Sequence, residues 1–247
     1  MLKSRILACL LALSAIAAAP AAIAQSAPDY AAIIAAPDRS DADRKLDTNR
    51  APAQWLAFIG AKPGMKILDI EAVYGWKAEL LARAVAPGGK VYAQNSEATF
   101  TRVKDRLEAR LKTPAAANII SAVGSFEDPA PAGMHDFDRV TFFYGYHDVT
   151  NLGIDRAKMI KAFYDALKPG GELVVGDYSA KPGAGASVAQ TLHRSDEALV
   201  RSEIEAAGFK LIDHGDFLRV AGDAKDAHSH SGAEPVDIYL LKFRKPG

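Results

Sequence analysis

Residues 65–95 are MKILDIEAVYGWKAELLARAVAPGGKVYAQN, which predicts a strand, a helix and a second strand in succession. Met65–Ile70 is a short apolar run typical of a buried strand, and Gly75–Ala86 has the apolar spacing of a helix. Pro87-Gly88-Gly89 stops this helix before the strand Lys90–Asn95. Parallel strands joined by a helix are the repeating unit of α/β folds, so this stretch predicts the fold class.

The same alternation continues in both directions from this stretch. Strands that alternate with helices indicate a parallel sheet covered on both faces. The last two strands have no helix between them, so we expect them to form an antiparallel pair at one edge. The further predicted helices are Ala51–Ile59, Glu97–Leu111, Asp155–Leu167 and Asp196–Ala207, and the further strands are Asn118–Val123, Phe137–Tyr144, Glu172–Asp177, Phe209–Leu218 and Val236–Phe243.

The N-terminus has the pattern of a secretory signal peptide. Lys3 and Arg5 are followed by the apolar run Ile6–Ala19, and Ala22-Ile23-Ala24 offers small residues for cleavage after Ala24. The alternative is an uncleaved membrane anchor, although the apolar run is short for a span. We therefore predict a signal peptide at 1–24, a partly helical lead-in at 25–60 and the folded domain at 61–247, in an exported protein that is periplasmic or secreted.

Composition excludes several classes of function. Cys9 is the only cysteine and lies in the signal segment, so disulfides and cysteine-based zinc sites are excluded from a mature chain. The 30 basic residues balance the 30 acidic ones, and removal of Lys3 and Arg5 leaves a net charge of −2. We therefore expect neither nucleic acid nor, once the signal is removed, a membrane as partner. The sequence does not indicate an oligomeric state.

The order of the segments resembles that of class I S-adenosylmethionine (SAM)-dependent methyltransferases. This resemblance implies a Rossmann-like, doubly wound sheet of seven strands, mostly parallel with an antiparallel C-terminal pair, that binds SAM and a small-molecule substrate. More narrowly, the chain resembles a subgroup of exported predicted methyltransferases. The matching segments are Met65–Ile70, Leu167–Val175 and Glu203–Phe209 for the family, and Tyr146–Asp148, His193-Arg194 and Leu241–Pro246 for the subgroup.

The turn after the first strand departs from the family pattern. The resemblance implies an acid followed by Gly-x-Gly-x-Gly, and Asp69 and Gly75 match the acid and the last glycine, with Tyr74 between them. Glu71 and Val73 replace the other two glycines. Glycine reaches positive φ and lets a ligand approach the backbone, whereas valine is poorly suited to positive φ. Either the pocket is rebuilt with altered or lost cofactor affinity, or the loop shifts and still binds.

Two further strand ends carry candidate cofactor contacts. At the position of Asn95 the resemblance implies an acid that binds the ribose hydroxyls. Asn95 can still accept one hydrogen bond there, or it instead caps the next helix. Glu97, two residues on, is the candidate to replace the missing acid. At Ser125 the resemblance implies an acid for the adenine amino group. Phe126 could stack on a ring, with Glu127 or Asp128 as the polar contact, or this segment is a solvated acidic turn.

The fourth strand end supplies the candidate catalytic residues. Tyr144 ends the strand and is a further candidate cofactor contact, and His147 and Asp148 follow it. An imidazole titrates near neutral pH, so His147 is a candidate general base, with Asp148 as its partner or as a helix cap. His147 is equally well explained as a structural residue.

Other groups have a place near the predicted crevice. Asp177 ends the fifth strand, and His193-Arg194 precedes a helix for which Asp196 is a plausible N-cap; Arg194 would bind an acidic substrate or pair with a neighbouring acid. In the lead-in, Arg44 and Arg50 would fold over the crevice as a lid or remain solvated.

No metal site is expected, because no metal-spaced motif such as His-x-x-x-His is present. His228 and His230 flank Ser229 in a long connection, and a solvated loop is the favoured interpretation. A metal-assisted hydrolase built on His147, Asp148, Asp177 and His193 is not favoured, for the same reason. We predict a SAM-dependent methyltransferase of a small molecule; the alternative is an exported, non-catalytic binding protein on the same scaffold.

Overall fold

The computed structural model describes residues 26–232 and 235–247, so the predicted signal peptide lies outside the described residues. Within them, seven strands form one sheet, with the order β3-β2-β1-β4-β5-β7-β6. The first five strands are parallel, and β7 runs antiparallel to both β5 and β6. The strands are β1 (Lys66–Ile70), β2 (Lys90–Asn95), β3 (Ile119–Val123), β4 (Phe137–Phe143), β5 (Leu167–Tyr178), β6 (Lys210–Gly215) and β7 (Ile238–Arg244).

Helices connect the strands, and several of them are capped at their first turn by short polar side chains. Ser96 accepts a hydrogen bond from Thr99 N at 3.3 Å, and Asp196, the predicted N-cap, accepts one from Ala198 N at 3.0 Å. The helices are α1 (Tyr30–Ala35), α2 (Asp41–Asp47), α3 (Pro52–Ile59), α4 (Trp76–Val85), α5 (Glu97–Leu111), α6 (Tyr146–Asn151), α7 (Arg156–Ala166), α8 (Ala189–Leu192) and α9 (Glu197–Ala206).

The sheet separates two hydrophobic cores, as expected for an α/β fold. Side chains alternate between its faces, so the consecutive residues Phe142 and Phe143 of β4 enter different cores, as do Leu240 and Leu241 of β7. One core includes residues of α7 and α9, and the other includes residues of α3 and α4. The predicted seven-stranded, mostly parallel α/β fold with its antiparallel C-terminal pair is confirmed.

Two features differ from the sequence-based expectation. The segment after β4, where no helix was predicted, forms the short helix α6, which contains His147 and Asp148. Strand β5 begins earlier than predicted, at Leu167, and its pairing with β4 shifts register across the turn 168–171. The backbone N–H of Gly170 donates to the carbonyl of Lys245 at 3.0 Å, so contact with the C-terminal segment, remote in sequence, holds this turn at the sheet.

The N-terminal lead-in packs against the sheet domain through polar contacts. The Tyr30 hydroxyl donates to the Ala61 carbonyl at 2.7 Å, and Arg110 of α5 donates to both carboxylate oxygens of Asp43 at 2.8 Å. The predicted division at residue 60 remains a prediction. Among the described residues, no helix is both long enough and apolar enough to span a membrane.

Candidate active site

A cavity of about 710 Å³ lies beyond the carboxyl ends of the parallel strands, near the reversal of strand order between β1 and β4. Ligands of open α/β sheets bind at this position, and pockets of roughly 300–1,000 Å³ are typical of small-molecule sites. The wall includes residues 71–74 after β1, Ser96 after β2, Phe126 after β3 and Tyr144 after β4. Glu71 and Val73 therefore line the cavity without filling it.

The loop after β1 keeps left-handed backbone conformations at both positions where glycine is missing. Glu71 has φ 48°, Val73 has φ 53° and Gly75 has φ 80°. A β-branched residue in this region is strained, at a cost of about 1–2 kcal/mol. Gly75 does not line the cavity; a Cβ there would lie 3.0 Å from Arg110 Cδ, so this glycine permits close packing against α5.

Two side chains at the end of β2 hold this strained loop. Val73 N donates to Asn95 Oδ1 at 2.8 Å, and Asn95 Nδ2 donates back to the Val73 carbonyl at 3.3 Å. Gln94 contributes in the same way, since its Oε1 accepts from Glu71 N at 3.2 Å. Asn95 is fully buried and lies behind the cavity wall, so its side chain holds the loop and does not face the cavity. The cap of the next helix is Ser96 and not Asn95.

The carboxylate of Glu71 lies at the end of β2, where the family resemblance implies an acid. Glu71 Oε1 accepts a hydrogen bond from Ser96 N at 2.9 Å, and Glu71 lines the cavity. Glu97, the substitute suggested by the sequence, is exposed and lies outside the cavity wall. Glu71, which follows β1, thus places an acid next to position 95 at the end of β2.

Asp69 lies beneath the loop, in the buried sheet. Its Oδ1 accepts from Thr141 Oγ1 at 2.9 Å and lies 3.7 Å from Lys77 Nζ. Burial raises the pKa of Asp69 and lowers that of Lys77. Lys77 Nζ also donates to the Glu71 carbonyl at 3.1 Å. Asp69 therefore acts on the loop through Lys77, which lines the cavity, whereas Asp69 does not.

The two candidate residues in the turn after β3, Ser125 and Phe126, lie in different environments. Ser125 is exposed, accepts a hydrogen bond from Asp128 N at 3.0 Å and lies outside the cavity wall. Phe126 is buried, lines the cavity and packs against Phe142 with ring centroids 6.1 Å apart. The structure therefore brings the aromatic ring, and not the hydroxyl, to the site.

Another part of the wall combines aromatic rings with arginine. The Arg50 guanidinium lies 5.0 Å from the Trp76 ring and 5.2 Å from the Tyr144 ring, and all three residues line the cavity. Burial raises the pKa of the Tyr144 hydroxyl. Arg44, the other predicted lid residue, instead donates to the Ala36 carbonyl at 2.7 Å, so only Arg50 reaches the site. Tyr74 also lines the wall, with Arg106 4.0 Å from its ring.

His147 is 1% exposed and lies behind the cavity. Its Nδ1 lies 2.9 Å from Asp177 Oδ1, and its backbone N donates to Asp177 Oδ2 at 2.8 Å. Burial lowers the pKa of His147, but the hydrogen bond and charge of Asp177 outweigh this effect and the net pKa is raised. Asp148, half-exposed on the cavity wall, approaches His147 Nε2 to 3.4 Å. Of the two predicted catalytic residues, only Asp148 faces the cavity.

Three more histidines gather beside this pair. The sequence placed His193 near the crevice but did not indicate that His228 and His230 join it. His193 lines the cavity, and its ring centroid lies 5.2 Å from that of His147. His228 lies 4.4 Å from His193, and His230 lies 6.0 Å from it. His230 is exposed, as expected for a solvated loop, whereas His228 is partly buried. The loop nevertheless folds back onto α6 and α8 and brings both rings to this group.

Arg194 causes this folding back, and it does not pair with Asp196 or Glu197. Its guanidinium donates to Asp223 Oδ2 at 2.8 Å, to the Ala227 carbonyl at 2.9 Å and to the Ser179 carbonyl at 2.9 Å. Arg194 is almost fully buried, so a substrate does not reach it. It ties the segment that carries His228 and His230 to the end of β5.

A seven-stranded sheet with β7 inserted antiparallel between β5 and β6, and with a cavity beyond its parallel strands, defines a class I SAM-dependent methyltransferase fold. The chain belongs to the ubiE/COQ5 methyltransferase family, whose sequence pattern matches residues 52–195, more than half of its length.

Curated proteins similar in sequence to this chain include C-methyltransferases. The chain is 35% identical over 135 residues to the ubiquinone/menaquinone biosynthesis C-methyltransferase UbiE of Bordetella parapertussis, a match that covers 52% of this chain and 48% of that protein. The chain thus spans about half the length of the curated relatives it matches.

Two solved structures share the fold at low sequence identity. A SAM dependent methyltransferase from Aquifex aeolicus superposes with a TM-score of 0.59 at 17% identity, covering 83% of this chain and 99% of that one. A putative sarcosine dimethylglycine methyltransferase from Galdieria sulphuraria gives 0.58 at 19% identity, with coverage of 85% and 89%. At these identities the likeness shows the fold alone.

Proposed function

We propose that the chain binds SAM in the cavity beyond β1 and β4 and methylates a small molecule there. The observation that carries this proposal is the open cavity of about 710 Å³ behind a loop that keeps its left-handed turns without the usual glycines. Family membership supports the same cofactor.

The wall offers groups that suit each part of this cofactor. Glu71 places a carboxylate beside Ser96 N, where it can accept hydrogen bonds from ribose hydroxyls. The buried ring of Phe126 provides a surface for the adenine. Arg50, Arg102 and Arg106 line the cavity and give it cationic charge for a carboxylate. Bound there, SAM would supply an electrophilic methyl group.

The proton of a substrate nucleophile would meet the Asp148 carboxylate, which faces the cavity. His147 lies behind Asp148, with Nε2 3.4 Å from Oδ1, and Asp177 fixes its ring from the other side. In this arrangement Asp148 contacts the substrate, and His147 acts through it. The substrate is a small molecule, because the cavity is of the size that encloses ligands.

Calorimetric titration of the purified protein with SAM and S-adenosylhomocysteine tests this proposal. We expect a dissociation constant in the micromolar range. A charge-assisted hydrogen bond contributes about 1.5–3 kcal/mol, so Glu71→Gln should weaken binding about tenfold or more. Glu97→Gln is the matched control, because Glu97 is an exposed acid at the start of α5 that lies outside the wall, and it should leave affinity unchanged.

Absence of binding to both ligands at millimolar concentration would refute the enzyme proposal and favour the non-catalytic binding protein. In that case Glu71→Gly combined with Val73→Gly is expected to restore some affinity. Equal affinity of the wild type and Glu71→Gln would instead remove Glu71 from the ribose site.

We also propose that the protein is exported, in line with the exported subgroup that it resembles. The basic start, the apolar run and the small residues before Gln25 support this proposal. N-terminal sequencing of protein recovered from outside the cytoplasm tests it, and a mature chain that begins at Gln25 is the expected result. An uncleaved chain retained in the cytoplasm would contradict it.

A further inference from the structure

Four of the six histidines in the chain converge from three segments on one side of the cavity. His147 lies in α6, His193 ends α8, and His228 and His230 lie in the connection before β7. Together with Asp148 we call this set the histidine cluster. Imidazole and carboxylate are the ligands that zinc and similar divalent ions prefer in a protein without cysteine in its fold.

His147 has the environment of a metal-ligating histidine. Its Nδ1 is held by Asp177, whose Oδ2 also accepts a hydrogen bond from Ser195 Oγ at 2.8 Å. A carboxylate on Nδ1 keeps the proton there and leaves the lone pair on Nε2, as is usual for histidines that bind metal ions. Nε2 is buried, and within the described residues it has no hydrogen-bond partner. The nearest carboxylate oxygen to this buried, unpartnered atom, among the ion pairs of the described residues, is Asp148 Oδ1 at 3.4 Å.

The distances between candidate ligand atoms fit one ion. His147 Nε2 lies 3.4 Å from Asp148 Oδ1, and His193 Nδ1 lies 3.8 Å from the same oxygen. Ligand bonds of about 2.0–2.1 Å in a tetrahedral site place neighbouring ligand atoms roughly 3.3 Å apart. Ligand atoms of all three residues lie within 4.8 Å of one another, so shifts of about an ångström would complete the geometry.

We propose that His147, Asp148 and His193 bind a divalent transition-metal ion of the zinc type at the edge of the cavity. His230 and His228 pack beside them, and His228 Nδ1 accepts a hydrogen bond from His230 N at 3.0 Å. Asp148 and His193 also line the cavity, so the ion borders the space assigned to the substrate. Metal binding at these residues does not depend on SAM.

Zinc titration of tag-free protein, stripped with a chelator and followed by calorimetry, tests the site directly. We expect one equivalent to bind with a dissociation constant of about 1 μM or tighter. Cobalt(II) should give the intense visible absorption of a low-coordinate site. His193→Ala and Asp148→Asn should each weaken zinc binding at least tenfold, since loss even of a supporting residue typically costs about 10–100-fold.

His214→Ala is the matched control. His214 is an exposed histidine on β6, and its Nδ1 lies 3.4 Å from an Asp216 carboxylate oxygen, so it forms a similar pair away from the cluster. This variant should keep wild-type zinc affinity. Thermal unfolding adds a second readout, because zinc should raise the Tm of the wild type and of His214→Ala but not of His193→Ala.

Three results would overturn the proposal. The first is no zinc binding by the wild type at about 100-fold above the expected constant. The second is unchanged affinity in His193→Ala. The third is loss of binding in His230→Ala with full retention in Asp148→Asn, which would move the ion away from His147. None of these results depends on whether SAM binds, so the failure of either proposal can be recognised separately.

Discussion

Replacement of Asn95 by aspartate restores the acid that the family resemblance implies at the end of β2, and it distinguishes two explanations of the site. If Asn95 is only a weakened ribose contact, Asn95→Asp should improve SAM binding. The structure predicts the reverse, because both ends of the Asn95 amide bond to Val73, with its Oδ1 accepting at 2.8 Å and its Nδ2 donating at 3.3 Å.

The magnitude follows from the buried position. In Asn95→Asp, an ionised carboxylate would face the Val73 carbonyl without a donor, whereas a protonated carboxyl reproduces both bonds. The folded-state pKa of this introduced carboxyl would therefore be raised, by about 2–3 pH units from its unfolded value near 3.9. A raised acid pKa destabilises the fold above the unfolded pKa. The cost grows by about 1.4 kcal/mol per pH unit and levels off at the folded pKa. We expect about 1.5 kcal/mol at pH 5 and about 3–4 kcal/mol at pH 8.

Urea unfolding of the wild type, Asn95→Asp and Asn49→Asp at pH 5 and pH 8 measures this difference. Asn49 is exposed in the lead-in, so Asn49→Asp controls for the added charge and should change stability by less than about 0.5 kcal/mol. The reasoning is refuted if Asn95→Asp is as stable as Asn49→Asp at pH 8, or if it binds SAM more tightly than the wild type.

Two further predictions concern arginines that tie segments together. Arg110→Ala leaves the carboxylates of Asp43 and Glu79 buried without their shared cation. The free energy of unfolding, measured by urea denaturation, should therefore fall by about 3–5 kcal/mol. Arg102→Ala is the control, because Arg102 is exposed, and it should cost under about 0.5 kcal/mol. Arg194→Met should release the segment around Asp223 and Ala227, so that trypsin cleaves this variant at Lys225. The wild type and the control Arg201→Met, in which an exposed arginine is replaced, should not be cleaved at Lys225. Equal cleavage of all three proteins at Lys225 would contradict the role of Arg194.

Local sequence signals were sufficient for most of the fold. The predicted bounds of Lys90–Asn95 and Glu97–Leu111 agree with the structure at both ends, because a proline-glycine turn and an N-capping serine mark them. The early start of β5 was not predictable in this way, since its turn is held by Lys245 from the far end of the chain. Helix α6 lacks a side-chain cap and is short, so little in its sequence announces it.

The candidate site was less accessible from the sequence than the fold. Strand ends and turn residues could be placed from periodicity, but the direction of each side chain could not. Ser125 and Phe126 are neighbours, yet only Phe126 reaches the cavity. The rings of His147, His193, His228 and His230 meet although their spacing matches no metal motif. His228 and His230 join the other two because contacts with Arg194 hold the last connection against the end of β5.

The departures from the family pattern are better understood together than one by one. Val73 takes a left-handed conformation that a β-branched residue disfavours, and the residue that holds it there is Asn95, which stands where an acid is expected. An ionised acid at position 95 would lose the donor to the Val73 carbonyl, so this valine and this asparagine suit each other. Glu71 then brings a carboxylate to Ser96 N, beside the position that Asn95 leaves without a charge. A change to the family residue at one position alone would therefore disrupt a coupled set. We expect a protein with Asn95→Asp to reach wild-type stability and SAM affinity only when position 73 is also changed to glycine, which no longer needs to be held.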